Sequence, residues 1–161
     1  MIAAAAKKGV TLEVTAFDES THTAAQAAGA VKAEIGQIVK SLIFVIPRQD
    51  GSLEPVLCLV SGSNRVDLAR LATVLANPGV RRASAREANE LTGYVIGGIP
   101  PFGHARRIRV IMDPDLGRFG LLWTAAGLPN AVFPVSPSTL RMLADADVAP
   151  ITEDPPVERG S

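Results

Sequence analysis

Two unbroken apolar runs, Leu42-Ile43-Phe44-Val45-Ile46 and Val56-Leu57-Cys58-Leu59-Val60, flank the turn residues Gln49-Asp50-Gly51-Ser52. Neither run alternates with polar residues, so each reads as a strand covered on both faces. Together they predict a buried hairpin, with Pro55 marking where its second strand begins. The rest of the chain must supply the layers that cover it.

Four further strands and four helices are legible. Leu12, Val14 and Ala16 alternate with Glu13 and Thr15, and Ile108, Val110 and Met112 alternate with Arg107, Arg109 and Ile111 before Asp113-Pro114 closes the strand. Asp113 reads as the organiser of that turn. Residues 121–124 and 131–135 predict two short strands about the turn Gly127-Leu128-Pro129-Asn130. Thr23 with Gln26, and Ser84 with Glu87, have capping-box spacing; the first opens a helix with the slim face Ala24, Ala27 and Ala28, ended by Gly29, and the second a short helix ending near Gly93. Asn64 is read as the cap of a helix bearing Leu68, Leu71 and Leu75, stopped by Asn77-Pro78-Gly79. Ser136 and Pro137 open a last helix with Leu140 and Leu143. Strands and helices mix without strict alternation, so the fold class expected is α/β, a single domain with a mixed sheet and surrounding helices. Residues 1–151 form that domain, and 152–161, with little to bury, read as a flexible tail.

Composition narrows the function. With 47% hydrophobic and 20% charged residues the chain is neither disordered nor collagen-like. Sixteen basic side chains cancel sixteen acidic ones, so no bulk cationic field gathers nucleic acid; DNA is not an expected partner, and any RNA contact must be local. Cys58 is the only cysteine, which excludes a disulfide framework and a thiolate zinc site, and no metal or cofactor is expected. Lys7 and Lys8 follow the apolar start, the reverse of a secretory signal, and no run approaches a membrane span, so a cytoplasmic location without membrane contact is expected.

Lys40 is the last lysine in the chain and stands between Ile38-Val39 and Ser41-Leu42-Ile43-Phe44. Its ammonium either snorkels to water or holds an anion such as a phosphate. Residues 92–107 are the least regular stretch. Within it, Gly97-Gly98-Ile99-Pro100-Pro101-Phe102-Gly103-His104 combines permissive with fixed backbone angles, either as a tight connection or as a rigid array of amides facing a ligand. It is neither a Walker loop nor a dinucleotide fingerprint. Gly127 is a hairpin glycine or a second close-approach site, and Ser61-Gly62-Ser63-Asn64 is a cap or an anion site. Arg106, Arg107 and Arg109 beside His104 form a solvated strand edge or a contact to an RNA backbone. His22 is read as a surface residue, and no Ser-His-Asp triad is evident.

Taken in order, Thr23-Ala24-Ala25-Gln26-Ala27-Ala28, Ile38-Val39-Lys40-Ser41-Leu42-Ile43-Phe44, Thr92-Gly93-Tyr94-Val95-Ile96-Gly97-Gly98-Ile99-Pro100-Pro101-Phe102-Gly103 and Ala126-Gly127 resemble the YbaK family of aminoacyl-tRNA deacylases. That family is related to the editing domain inserted in bacterial prolyl-tRNA synthetases. The resemblance implies a strongly curved mixed sheet and hydrolysis of the ester joining a wrong amino acid to the tRNA 3′-adenosine. It implies a free-standing trans-editing enzyme acting on mischarged tRNA, Cys-tRNA(Pro) or Ala-tRNA(Pro), with prolyl-tRNA synthetase as a possible partner. It assigns Lys40, Gly97, Gly98 and Pro101 to catalysis and Ile99, Pro100, Phe102, Gly103, His104 and Gly127 to substrate binding. Pro100 stands where some relatives carry a small hydroxyl residue. The implied chemistry needs no side-chain nucleophile: water attacks the ester while loop amides stabilise the oxyanion. The alternative reading is a noncatalytic module binding a tRNA 3′ end, a synthetase or a small ligand.

Overall fold

A computed structural model describes residues 1–18 and 23–154. In chain order the elements are α1 (Ile2–Lys7), β1 (Thr15–Ala16), α2 (Ala24–Val31), β2 (Val39–Pro47), β3 (Leu53–Ser61), α3 (Leu68–Leu75), β4 (Arg81–Arg82), α4 (Ala85–Thr92), β5 (Arg109–Met112), β6 (Leu122–Ala125), β7 (Ala131–Val135), α5 (Pro137–Ala144) and β8 (Asp147–Val148). Short 3₁₀ turns at Ile35–Gln37 and Pro114–Arg118 lead into β2 and out of β5.

The expected hairpin is the spine of the molecule. β2 and β3 pair antiparallel from Val39↔Ser61 to Pro47↔Leu53, longer at both ends than the apolar runs, because a ladder continues wherever backbone groups find partners. Pro55 lies inside β3, one residue short of Val56, where β5 begins to pair in parallel, so its missing N–H interrupts no bond to β5. The five-stranded sheet runs β4-β2-β3-β5-β8 and is mixed. A second, three-stranded antiparallel sheet runs β1-β7-β6. The mixed α/β architecture is thus the expected one, with its strands divided between two sheets.

Both faces of the hairpin are buried, which explains its unbroken apolar runs. On one face Val39, Ile43, Val45, Leu57 and Leu59 join Leu122 and Phe133 of the smaller sheet and Leu140 and Leu143 of α5. On the other, Phe44, Ile46, Val56, Cys58 and Val60 pack under Leu71 of α3 and against Ile151. A small third cluster joins Ala27 and Ala28 to Ile38, with Trp123 against it; the slim face of α2 permits this close approach.

The two capping boxes form as expected, and Ser136 caps α5 with Pro137 in its first turn. Three expectations are corrected. Only Thr15–Ala16 of the 12–16 stretch pairs, with Val132 and Ala131; further along β7, Pro134 has no N–H to give a partner strand. Gly29 lies inside α2, which ends where Lys32 turns left-handed. Asp67, not Asn64, caps α3: its Oδ1 accepts from the Ala69 and Arg70 N–H groups at 3.0 and 3.2 Å. Thr152 still bridges to Val66, and its carbonyl accepts from Arg70 at 2.6 Å; the tail beyond Asp154, like His22, lies outside the described residues. No helix among the described residues is long and apolar enough to cross a membrane.

Candidate active site

The two sheets meet at one parallel bridge, Ile38↔Trp123, rather than along a ladder. Next to that contact lies a cavity of about 260 Å³, walled by Ile38 and residues 39–42 of β2, by Trp123, Thr124 and Ala125 of β6, by α2, and by Ile96, Gly97 and Ile99 of the loop. Lys40 and the glycine-proline stretch, far apart in sequence, therefore border the same space.

Lys40 is half-buried, and its ammonium donates to the Asn64 backbone carbonyl. Burial pushes its pKa below the ordinary lysine value, the like charges of Arg65 and Arg82 push the same way, and Asp113 opposes them. The carbonyl that receives it is itself held firmly. The Asn64 amide donates to Asp113 Oδ2 at 2.9 Å and Asp115 Oδ2 at 2.8 Å, while Asp113 Oδ1 accepts the Asp115 N–H at 3.0 Å. Just before it, the Ser61 hydroxyl donates to the Gly36 carbonyl at 2.7 Å, and the Gly62 N–H donates to that of Ile38 at the same distance. A side chain at Gly62 would collide with the Ile35 carbonyl. This segment thus fixes the lysine's partner, and the Asp67 carboxylate occupies the start of α3, where an anion would otherwise sit.

The loop is built on a turn at residues 95–98, closed by the Gly98 N–H donating to the Val95 carbonyl at 2.9 Å. Gly97 sits third in this turn at φ +91°, a conformation that favours glycine. Gly98 makes room for a neighbour: a methyl there would lie 3.0 Å from the Leu128 carbonyl carbon and 3.0 Å from the Pro129 nitrogen. The consequence for chemistry is specific. Gly98 has spent its N–H in the turn and Pro100 and Pro101 have none, so Ile96, Gly97 and Ile99 are the loop positions on the cavity with an N–H to offer, none having a hydrogen-bond acceptor among the described residues.

The other expected site residues lie behind or apart. Pro100, Pro101 and Phe102 are buried, and Phe102 packs edge-on against Phe133 with ring centroids 6.0 Å apart. His104 Nε2 donates to the Pro100 carbonyl at 2.8 Å, and its ring meets Tyr94 edge-on at 5.6 Å. Burial holds its pKa below the ordinary histidine value. Phe102, Gly103 and His104 border a separate cavity with Arg106, Arg107 and Arg109. Gly127, at φ +101°, rests against the Tyr94 ring, while Ala125, at the end of β6, reaches the Lys40 cavity. Cys58 is buried, and its thiol is pushed up to about 12, too high to be a ready nucleophile. No cluster of three or more His, Cys, Asp or Glu capable of holding a metal occurs among the described residues.

Two cavity residues escaped the sequence reading. Ser41 and Thr124 both line it, and both hydroxyl oxygens are buried without a hydrogen-bond partner. Each stands in core-facing register, Ser41 with Val39, Ile43 and Val45, and Thr124 with Leu122. A polar residue in an apolar register was the available signal.

A sequence model of the aminoacyl-tRNA editing domain matches residues 18–143. Among known proteins, the chain is 24% identical to EbsC of Enterococcus faecalis, named as a candidate Cys-tRNA(Pro)/Cys-tRNA(Cys) deacylase, over 85% of this chain and 81% of that one. It is 33% identical to the multifunctional Ser/Thr-tRNA deacylase ProXp-y of Escherichia coli over 51% of this chain and 48% of that one. A crystal structure described as a candidate trans-editing enzyme for prolyl tRNA synthetase superposes with a TM-score of 0.80 at 43% identity, covering 89% of this chain and 87% of the other. The matched span contains Lys40, the 97–101 loop and both cavity-forming strands, and with it the resemblance drawn from those residues becomes membership: this chain belongs to the aminoacyl-tRNA editing domain family, whose YbaK-like fold it has.

Proposed function

We propose that this chain is a free-standing trans-editing hydrolase of the cytoplasm that removes small amino acids from mischarged tRNA, Cys-tRNA(Pro) and Ala-tRNA(Pro) among them, alone or beside prolyl-tRNA synthetase. Aminoacyl-tRNA deacylase is the enzyme class of its family. The observation that carries the reading is that Lys40 and the loop residues Ile96, Gly97 and Ile99 border one cavity of about 260 Å³.

A 3′-aminoacyl adenosine entering there would place its ester carbonyl against the unpaired loop amides, while the Lys40 ammonium, which has donors beyond the one given to Asn64, holds the ribose or the terminal phosphate. Water adds to the carbonyl carbon, and the C=O electron pair moves onto oxygen, where the fixed N–H dipoles meet the new charge. Collapse breaks the bond to the ribose oxygen, which takes up a proton released by the water. A substrate hydroxyl or a backbone carbonyl relays that proton, so holding the reactants in place does the work that a nucleophile does elsewhere. The cavity's size excludes large side chains more sharply than it separates small ones.

The test is a panel of mischarged tRNAs incubated with the purified chain. Deacylation of at least one small aminoacyl-tRNA is expected, slowed about 10- to 100-fold by Lys40→Ala, the value of a charge-assisted hydrogen bond. Binding of the tRNA terminus without turnover would replace the enzyme by a noncatalytic module.

A further inference from the structure

Trp123 is the only tryptophan of the chain, and it stands where the two sheets touch. Residues paired across a bridge send their side chains to the same side, and Trp123 and Ile38 do so, both packing with Ala27 and Ala28 of α2. Alternation from Ile38 into β2 puts Lys40, two residues on, on that side as well. At about 3.3 Å per residue along a strand and about 4.8 Å between neighbours, the Cα atoms of Trp123 and Lys40 lie roughly 8 Å apart. Val39 and Leu122 take the opposite side, in the main core.

The indole is braced rather than enclosed. Small side chains of α2 support it, yet it is only half-buried, and it borders the cavity together with Lys40. Among the described residues its ring meets no other aromatic ring and no cation. A supported aromatic ring open to a cavity, with an ammonium on the same side and within the length of a nucleoside, offers a platform for a base and a charge for its phosphate. We propose that this side of the sheet junction is a mononucleotide subsite, in which Trp123 stacks a purine base and Lys40 meets the ribose phosphate. The inference rests on the editing reading for its natural ligand, the terminal adenosine of a charged tRNA. Every contact it needs lies within one nucleotide, so free AMP is a ligand too. The aminoacyl group then falls on the other side of the junction, toward Ile99, which packs with Val39 in the main core.

The lone tryptophan reports its own occupancy. AMP is titrated into the full chain while indole fluorescence is followed, with excitation at the red edge where adenine does not absorb. Saturable quenching is expected, whereas ribose 5-phosphate, which carries the phosphate without a base, should give neither quenching nor binding at the same concentrations. Calorimetry repeats the AMP titration on Trp123→Phe, which keeps a stacking face, and on Trp123→Leu, which keeps apolar bulk without one. The Phe variant should bind AMP within about threefold of the parent and the Leu variant about 10- to 100-fold more weakly, the loss of one stacked base. On charged tRNA, AMP is expected to inhibit competitively and Trp123→Leu to raise KM. If AMP binds with this dependence on residue 123 and no charged tRNA is hydrolysed, the subsite stands and the enzyme reading falls. If tRNA is deacylated but AMP neither quenches nor binds, or the Leu variant binds it as well as the Phe variant, the proposal is overturned and the enzyme reading is untouched. Should a variant fail to fold, as judged by circular dichroism, the wild-type comparison of AMP with ribose 5-phosphate decides alone.

Discussion

Thr124→Val replaces a hydroxyl by a methyl of nearly the same size, and its effect on stability follows from what the hydroxyl lacks. Thr124 is 1% exposed and its Oγ1 has no partner. An unpaired buried hydroxyl costs about 1–3 kcal/mol, and the substitution breaks no hydrogen bond of the free protein. Valine should therefore raise the unfolding free energy by about 1–3 kcal/mol. At about 2–4 °C per kcal/mol in a domain of this size, the melting temperature rises by roughly 2–12 °C. Thr92→Val is the matched control: that hydroxyl donates to the Ala88 carbonyl at 2.7 Å and accepts the Tyr94 N–H at 3.1 Å, so the same exchange should destabilise by about 1–2 kcal/mol. Calorimetry and urea titration with an unchanged m-value give both numbers. A Thr124→Val protein that melts at or below the parent, while Thr92→Val behaves as expected, would refute the claim that the cavity hydroxyl is unpaired.

Three further outcomes follow from other parts of the fold. Gly98→Ala presses a methyl onto the Leu128–Pro129 backbone and should cost about 1–3 kcal/mol in thermal unfolding, whereas Gly97→Ala, with open space around it but φ at +91°, should cost about 1–2 kcal/mol of backbone strain alone; equal, negligible shifts would contradict the loop geometry. Burial lowers the folded pKa of His104 below its unfolded value of about 6.5, so the unfolded chain takes the proton more readily. Stability should be full above that pH and decline as pH falls below it toward the folded pKa, and His104→Gln, which keeps an N–H for the Pro100 carbonyl, should flatten the decline. Cys58 should resist thiol reagents in the native protein, reacting only as fast as the chain opens, since its thiol is buried and pushed up to about 12; rapid labelling of folded protein would disprove it.

The features legible along the chain are those whose partners are close in sequence. Thr23 with Gln26, Ser84 with Glu87, and Ser136 with Pro137 each settle a helix start within a single turn, and the structure has all three. Asn64 marks where that reasoning stops. Its residue type suits a cap, but Asp113 and Asp115, brought near by the parallel β3–β5 pairing, take its amide instead. The glycine-proline stretch was legible as an unusual backbone, while the division of labour within it was not. Gly98 serves packing and the closing turn, Phe102 serves the core, and Gly97 and Ile99 face the cavity.

From residue order alone came the doubly buried hairpin, the capped helices, the family, and the two segments able to carry its chemistry, because periodicity and turn chemistry act over a few residues. The cavity itself was decided only when two sheets touched at Ile38 and Trp123 without continuing as one. That contact joins strands far apart in the chain, and no local pattern specifies it. Which lysine face meets Asn64, which amides stay free, and why Ser41 and Thr124 are left unpaired are consequences of how the sheets pack. Long-range packing chooses hydrogen-bond partners by proximity in space, which the order of residues along a strand does not record.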